Sequence, residues 1–271
     1  MIPIVLEEIL LKFQNIYSTP AFTWKEGKVT DEDLQKMNTA VIEGSQFDPL
    51  GLKKEVWNRY KKGLNFIHCQ ECDNARVVAI LPKGMTIPRE WSRIFQAFGV
   101  PKHGGPKWNV YWFGSITPRL FPKSGLPLAA EHLNGGYTQG CSTDGIFMYR
   151  LEEATRVLIH ELLHAACQDP FDETIPRREA TIETWAELIF IAYRAKGSLK
   201  KGDELLKLQC QWVSDTNNKA KLDNEVIDES DYGWRYLNGR TDVYNSLGFT
   251  LPVASNNAPT RSRFTHPDLG D

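Results

Sequence analysis

The segment from His160 to His164 reads His-Glu-Leu-Leu-His and carries the clearest chemical signal in the chain. Side chains four residues apart lie on the same face of a helix, so the two imidazoles can reach one metal ion. The carboxylate of Glu161 can then reach a water molecule on the open side of that ion. Two histidines at this spacing, with this glutamate between them, predict a zinc site in which Glu161 is the general base.

The residues around this motif predict a largely buried helix over residues 151–167. The six residues before His160 are mostly apolar, and Leu162, Leu163 and two alanines fill the remaining faces. Ionisable groups inside such a helix are costly unless they are paired or coordinate a metal. This context favours a metal site over a pair of core or surface histidines without metal.

A catalytic zinc ion needs a third protein ligand and an open position for water. The next predicted helix, over residues 176–196, carries Glu179, Glu183 and Glu187 four residues apart, and therefore on one stripe. The rest of that helix is mostly apolar, which makes an acidic stripe unusual. Each glutamate alone could be a solvated surface residue, and for Glu179, near the start of the helix, that interpretation is favoured.

The histidine motif, eighteen further residues and then Glu183 resemble the ligand spacing of zincin peptidases whose third ligand is glutamate. The spacing is that of the neutral zinc aminopeptidases and is close to that of thermolysin. The resemblance covers roughly residues 136–196. It implies one Zn²⁺ per chain, bound by His160, His164 and Glu183, with Glu187 supporting the first histidine through its second ring nitrogen.

Two details limit what the resemblance implies. The motif that binds the substrate amine in the aminopeptidases is not found upstream, so cleavage at a chain end is not predicted. The competing zincin pattern needs a glycine and then a histidine or aspartate after the motif, but Cys167 and Pro170 occupy those positions.

The segment 136–140 alternates like an exposed strand just before the motif helix. In zincins an edge strand pairs with the extended substrate, so the resemblance implies that Tyr137, Thr138 and Gln139 receive a peptide by strand addition. An ordinary exposed strand or loop is the alternative.

A donor to the developing oxyanion is also needed. In related enzymes it is a tyrosine or histidine from further along the chain. We favour Tyr232 or Tyr236, with Tyr244 and His132 as alternatives, although any single tyrosine could serve only in core packing.

The order of predicted elements indicates an α+β fold, with strands mostly in the first half and long helices in the second. The resemblance narrows this to one zincin-like domain over residues 1–271. Residues 1–150 supply a small twisted sheet and covering helices, 151–250 form a helical metal-binding half, and 251–271 form an irregular tail. The predicted elements are helices at 4–17, 31–43, 53–62, 88–98, 151–167, 176–196 and 203–215, and strands at 76–81, 109–116, 136–141 and 146–149.

Composition excludes several classes of partner and location. The 32 basic and 34 acidic residues give a net charge of -2, so nucleic acid is not an expected partner. No apolar stretch has the length of a membrane-spanning helix, and the N-terminus does not resemble a signal peptide. Five cysteines, an odd number, favour mostly free thiols in a reducing, intracellular or cytoplasmic compartment. Cys69 and Cys72 lack a second ligand pair, so two thiols near a turn are expected there.

The favoured function is therefore zinc-dependent hydrolysis of peptide bonds in a protein or peptide substrate. One alternative is a zinc-binding but non-proteolytic structural or assembly protein on a zincin scaffold. Another is a metal-free structural protein with a chance motif. Glu161 favours the peptidase, because a purely structural zinc site does not need a base. The oligomeric state is not predicted.

Overall fold

The structure is a computed structural model that describes residues 2–255 and 259–270. Within these residues the chain forms one six-stranded sheet and nine α-helices, which agrees with the predicted α+β class. The strands are β1 (Lys25–Glu26), β2 (Asn65–Cys72), β3 (Ala75–Pro82), β4 (Trp108–Phe113), β5 (Gly136–Tyr137) and β6 (Asp144–Met148). The helices are α1 (Ile4–Ser18), α2 (Asp31–Ile42), α3 (Leu52–Lys61), α4 (Trp91–Phe98), α5 (Ala130–Leu133), α6 (Ala154–Ala165), α7 (Ile175–Arg194), α8 (Leu199–Asn224) and α9 (Gly239–Ser246).

The chain divides into two compact units. The sheet unit comprises residues 20–118 and 134–167, and the helical unit comprises 1–19, 119–133 and 168–271. Helix α6, which carries the histidine motif, belongs to the sheet unit, although the sequence placed it in a helical half beginning at residue 151. Helix α1 belongs to the helical unit rather than to the covering helices of the sheet.

The sheet has the strand order β1-β2-β3-β4-β6-β5. Strands β3, β4 and β6 run parallel, whereas β1, β2 and β5 are antiparallel to their neighbours. Strand β5 stands at one end of the order, and among the described residues it pairs only with β6, Gly136 opposite Met148 and Tyr137 opposite Phe147. The antiparallel strand β5 therefore forms the edge of the sheet next to the parallel strands β3, β4 and β6.

Helices cover both faces of this sheet. Successive side chains of a strand point to opposite faces, so neighbouring residues of one strand contact different helices. On β4, Tyr111 and Phe113 pack into a cluster with residues of α2 and α3, such as Met37 and Trp57. The intervening Trp112 contacts Trp91 of α4, with ring centroids 4.9 Å apart. Helix α4 contacts α6, and α6 packs against β5 and β6. The motif helix is thus held on one face, at the edge that ends in β5.

The helical unit has a core of its own. Its buried cluster joins Ala180 of α7 and Ala220 of α8 to Trp234, Tyr236 and Phe264. Phe264 is 2% exposed, although it lies in the tail. Among the described tail residues, 251–255 and 259–270, the only regular element is a 3-10 turn at Pro267–Leu269; the irregular tail over 251–271 stays a prediction. That prediction also covers residues 256–258 and 271, which lie outside the described residues.

Most predicted elements are confirmed with shifted ends. Helices α1, α2, α3, α6 and α7 match their predictions within a few residues, and Thr30 and Asp33 form a capping box at the start of α2. Helix α4 likewise begins three residues after its predicted start, as α6 does. Two predictions were wrong in extent: α8 runs from Leu199 to Asn224 rather than over 203–215, and the strand at 136–141 covers only Gly136–Tyr137. Strands β1 and β2 and the short helices α5 and α9 were not predicted.

The cysteines depart in part from the expected free thiols. Cys141 and Cys167 form a disulfide within the sheet unit, whereas Cys69, Cys72 and Cys210 are free and buried. The first two of these thiols lie on β2, one beside its turn, as expected. Disulfides are typical of oxidising compartments, so the pair counts against the expectation of a reducing compartment. A helix long and apolar enough to cross a membrane is not found among the described residues.

Candidate metal and catalytic site

The two motif histidines converge on one point at the C-terminal end of α6. Their Nε2 atoms are 3.0 Å apart and their rings meet edge to face, with centroids 4.7 Å apart. His160 is 7% exposed, and His164 is partly exposed. Two nitrogens bound to one tetrahedral zinc ion at about 2.0–2.1 Å are roughly 3.3 Å apart. The paired imidazole donors therefore fit a zinc ion with little movement.

The end of α6 is tied to the loop that follows β5. The carbonyl oxygen of His164 accepts hydrogen bonds from the backbone N–H groups of Cys141 (3.0 Å) and Cys167 (3.1 Å). The disulfide joins the same two residues. At the other end of the helix, Trp91 donates a hydrogen bond from Nε1 to Thr155 Oγ1 (2.9 Å). Both ends of the motif helix are thus fixed within the sheet unit.

Glu161 lies against the edge strand. Glu161 is buried, with only 4% of its surface exposed. A methyl group on Gly136 would lie 2.8 Å from Glu161 Oε1 and 2.9 Å from the Phe147 carbonyl oxygen. Only a glycine lets the strand backbone pass this close to the carboxylate. The carboxylate and β5 are therefore neighbours, a relation that the sequence implied only through the resemblance.

The three residues predicted to receive substrate have different environments. Tyr137 lies in β5, whereas Thr138, which is partly buried, and Gln139, which is exposed, follow the strand in a loop. The Gln139 carbonyl oxygen accepts a hydrogen bond from the Ser142 N–H (3.1 Å). Pairing with a peptide through the outer edge is thus supported by regular strand geometry at Tyr137 and remains a prediction for all three residues.

Tyr137 has a buried lysine as its partner. Lys53, which is 1% exposed, donates a hydrogen bond from Nζ to the Tyr137 hydroxyl oxygen (2.7 Å). Burial lowers the pKa of Lys53 to about 8, while the carboxylates of Asp48 and Glu43 partly oppose that shift. Burial also raises the pKa of Tyr137, and the nearby carboxylates of Asp48, Glu43 and Glu161 add to that effect.

This pKa predicts a pH-dependent stability. The pKa of Lys53 falls from 10.5 to about 8 on folding, so the cost of burying its charge is fully present below pH 8. That cost disappears as pH rises from about 8 to 10.5, because the folded chain releases the proton first. We expect the free energy of unfolding of the wild type to rise over this window, relative to Lys53→Met, by on the order of 3 kcal/mol. Urea unfolding at several pH values measures it, and parallel pH profiles of the two proteins would contradict it.

The predicted glutamates lie in the helical unit, on α7. Glu183 is 2% exposed, Glu187 is 0% exposed and Glu179 is partly exposed. The carboxylate of Glu187 pairs with the guanidinium of Arg240, and its other oxygen accepts a hydrogen bond from the Tyr244 hydroxyl (2.8 Å). Both of its oxygens are therefore engaged within this unit, and its support of a metal-bound histidine stays a prediction.

The favoured tyrosines also lie in the helical unit. Tyr232 and Tyr236 are in contact, with ring centroids 5.4 Å apart, and Tyr236 is 7% exposed. Burial raises the pKa of Tyr236, and the carboxylate of Glu179 raises it further. A phenol with a raised pKa stays protonated and can donate a hydrogen bond at neutral pH. These two tyrosines therefore stand beside the acidic stripe of α7.

The two alternatives to these tyrosines have other partners. Tyr244 is 0% exposed, and its hydroxyl group donates a hydrogen bond to the carboxylate of Glu187. His132 Nδ1 accepts a hydrogen bond from the Ala129 N–H (3.0 Å), and its carbonyl oxygen accepts one from Ser262 Oγ (2.5 Å). A role for Tyr244 or His132 at the oxyanion stays a prediction.

The structure thus assembles the predicted residues in two groups. The sheet unit brings together His160, Glu161, His164 and β5, and the helical unit brings Glu179 close to Tyr232 and Tyr236. A scan against family models and searches of curated proteins and of solved structures find no match to this chain. The assignment of function therefore depends on the residues themselves.

Proposed function

We propose that this chain is a zinc-dependent peptidase with a zincin-like fold, and that it binds one zinc ion through His160, His164 and Glu183. The observation that carries the proposal is the convergence of two imidazole nitrogens, 3.0 Å apart, on a helix whose Glu161 lies beside an edge strand. The antiparallel edge strand next to the motif helix also supports the zincin-like assignment. Glu183 enters through its spacing in the sequence, with Glu179 as the alternative ligand.

Each residue then has a defined chemical task. Zinc, when bound, lowers the pKa of a water molecule and polarises the carbonyl group of the scissile bond. Glu161 accepts the proton of the attacking water and passes it to the leaving amine. The outer edge of β5 binds the substrate backbone by strand addition, which places the peptide next to Glu161. Tyr232 or Tyr236 donates a hydrogen bond to the developing oxyanion.

The proposal covers protein and peptide substrates, and neither nucleic acid nor a membrane is an expected partner. The alternative function is a zinc-binding structural or assembly protein on the same scaffold. The buried position of Glu161 beside β5 favours the peptidase, because a purely structural site does not need a base there. An intracellular location remains part of the proposal, with the disulfide as the observation against it.

Metal removal tests the proposal. We expect the purified protein to cleave peptides of a defined mixed library, a chelator to abolish cleavage, and added zinc to restore it. Mass spectrometry of the products gives the cleaved bonds, and circular dichroism before and after chelation controls for unfolding. Cleavage that persists without metal would contradict the proposal, and bound zinc without any cleavage would favour the scaffold alternative.

A further inference from the structure

A cavity of about 490 Å³ lies in the sheet unit, between α2 and the edge of the sheet formed by β5 and β6. It is on the face of the sheet opposite α6, because Tyr137 and Phe147 pack with the cluster that includes residues of α2 and α3. Its chemistry is set by an aromatic floor and a rim of charged side chains. Six of its lining residues matter here: Glu32, Lys36, Glu43, Tyr137, Asp144 and Phe147.

The floor of this cavity is a stack of aromatic rings. Tyr137 and Phe147 have centroids 5.2 Å apart and nearly parallel planes, and Phe147 stacks in turn on Tyr111 at 5.5 Å. Because the rings stack on one another and Lys53 Nζ lies over the Tyr137 ring, the floor offers a ligand an apolar surface rather than free aromatic faces. The aliphatic stem of a long basic side chain can pack along such a surface while its charged end stays at the rim.

The rim carries more negative than positive charge. Three carboxylates, those of Glu32, Glu43 and Asp144, face one ammonium group, that of Lys36. Lys36 Nζ lies 2.7 Å from both carboxylate oxygens of Asp144 and 3.6 Å from Glu32 Oε1. Among the described residues Glu43 has no ion-pair partner. The rim thus retains a carboxylate that a cationic ligand could neutralise.

Two charged groups behind the floor do not change this balance. Lys53 Nζ lies 4.3 Å from the centroid of the Tyr137 ring, and the Asp48 carboxylate lies near enough to shift the pKa of that lysine. They contribute one positive and one negative charge. The surroundings of the cavity therefore remain net negative when both are counted.

The edge strand links this cavity to Glu161. Successive residues of a strand face opposite sides of a sheet, and on β5 Gly136 faces Glu161 whereas Tyr137 faces the cavity. A peptide that adds to the outer edge of β5 follows the same alternation. Where one of its residues faces Glu161, the side chain next to it faces the cavity.

We propose that this cavity binds an arginine or lysine side chain of a peptide that pairs with β5, and that Glu43 determines this preference. The inference depends on the proposed peptidase function, because it assigns the class of substrate to the same site. It predicts extended substrates with a basic residue adjacent to the residue that faces Glu161.

Cleavage of matched peptides tests this inference. Each peptide of a series carries arginine, lysine, glutamine or glutamate at one varied position, and specific rates are measured for the zinc-loaded protein. We expect arginine to exceed glutamine by on the order of tenfold at one position next to the cleaved bond. Glu43→Gln should remove most of this difference and Glu43→Lys should reverse it towards glutamate. Glu55→Gln, an exposed change on α3, is the matched control and should leave the preference unchanged.

The possible outcomes distinguish a failure of this inference from a failure of the proposed peptidase function. Cleavage without a basic preference, or a preference that survives Glu43→Gln, would overturn the inference and leave the peptidase standing. If the wild type cleaves no peptide, binding of N-acetyl-arginine amide tests the basic-side-chain site instead. The binding is monitored through the NMR signals of the aromatic rings that line the cavity. Binding that weakens in Glu43→Gln but not in Glu55→Gln would support the basic-side-chain site, and absence of binding would overturn it.

Discussion

Replacement of Glu161 by glutamine is expected to lower the rate of peptide hydrolysis by a factor of about 10²–10⁴, the usual contribution of a general acid–base residue. Glutamine keeps the size and the hydrogen-bonding shape of the side chain but cannot accept the proton of the attacking water. The residue is 4% exposed and lies beside Gly136, so the substitution changes charge without opening a cavity. Zinc content should stay equal to that of the wild type.

Rates at saturating peptide, with zinc measured in the same sample, provide the test of this prediction. Glu55→Gln, on the exposed side of α3, controls for the loss of a carboxylate as such. A Glu161→Gln protein that binds zinc and cleaves peptide within threefold of the wild type would show that another group acts as the base. Loss of zinc in this variant would instead place Glu161 among the groups that hold the metal.

Replacement of Glu187 by alanine is expected to lower the free energy of unfolding by about 3–5 kcal/mol. Glu187 and Arg240 are both 0% exposed, and they form a salt bridge that Tyr244 completes from the other carboxylate oxygen. Removal of the carboxylate takes away the counter-ion that the buried Arg240 guanidinium has in this salt bridge. Urea unfolding of the two proteins at the same pH measures the difference.

A double variant separates the lost charge partner from lost packing. Glu187→Leu combined with Arg240→Met removes both charges and keeps similar volume, so it should recover most of the stability. Tyr244→Phe removes one hydrogen bond and should cost only about 1 kcal/mol. The exposed pair Arg177 and Glu229 gives the baseline, since its disruption should cost no more than about 1 kcal/mol. If Glu187→Ala lowered the free energy of unfolding by less than disruption of the Arg177–Glu229 pair does, the stabilising role of the buried Glu187–Arg240 pair would be contradicted.

The elements that could be predicted from the sequence are those whose signal is local. Helix α2 begins where Thr30 and Asp33 form a capping box, and β3 is a run of β-branched and apolar residues ended by Pro82. Strand β2 was missed because its sequence, Asn-Phe-Ile-His-Cys-Gln-Glu-Cys, has neither apolar continuity nor clear alternation. It is a strand because β1 and β3 pair with it on both sides.

In the candidate site, too, the features with a local signal could be predicted and the long-range contacts could not. The convergence of His160 and His164 follows from helical spacing, which the sequence shows directly. The partnerships Lys53–Tyr137 and Glu187–Arg240 join residues 84 and 53 positions apart. The disulfide closes a separation of 26 residues. No local pattern encodes such contacts, so a single sequence could not predict them.

Zinc content per chain is the measurement that tests the central claim most directly. Purified wild type, His160→Ala, Glu183→Ala and Glu179→Ala are compared by elemental analysis, with circular dichroism to establish that each is folded. We predict about one zinc per chain in the wild type and in Glu179→Ala, and loss of zinc in the other two. Zinc retained in Glu183→Ala but lost in Glu179→Ala would transfer the third ligand to Glu179, and folded wild type with zinc near zero would contradict the peptidase proposal.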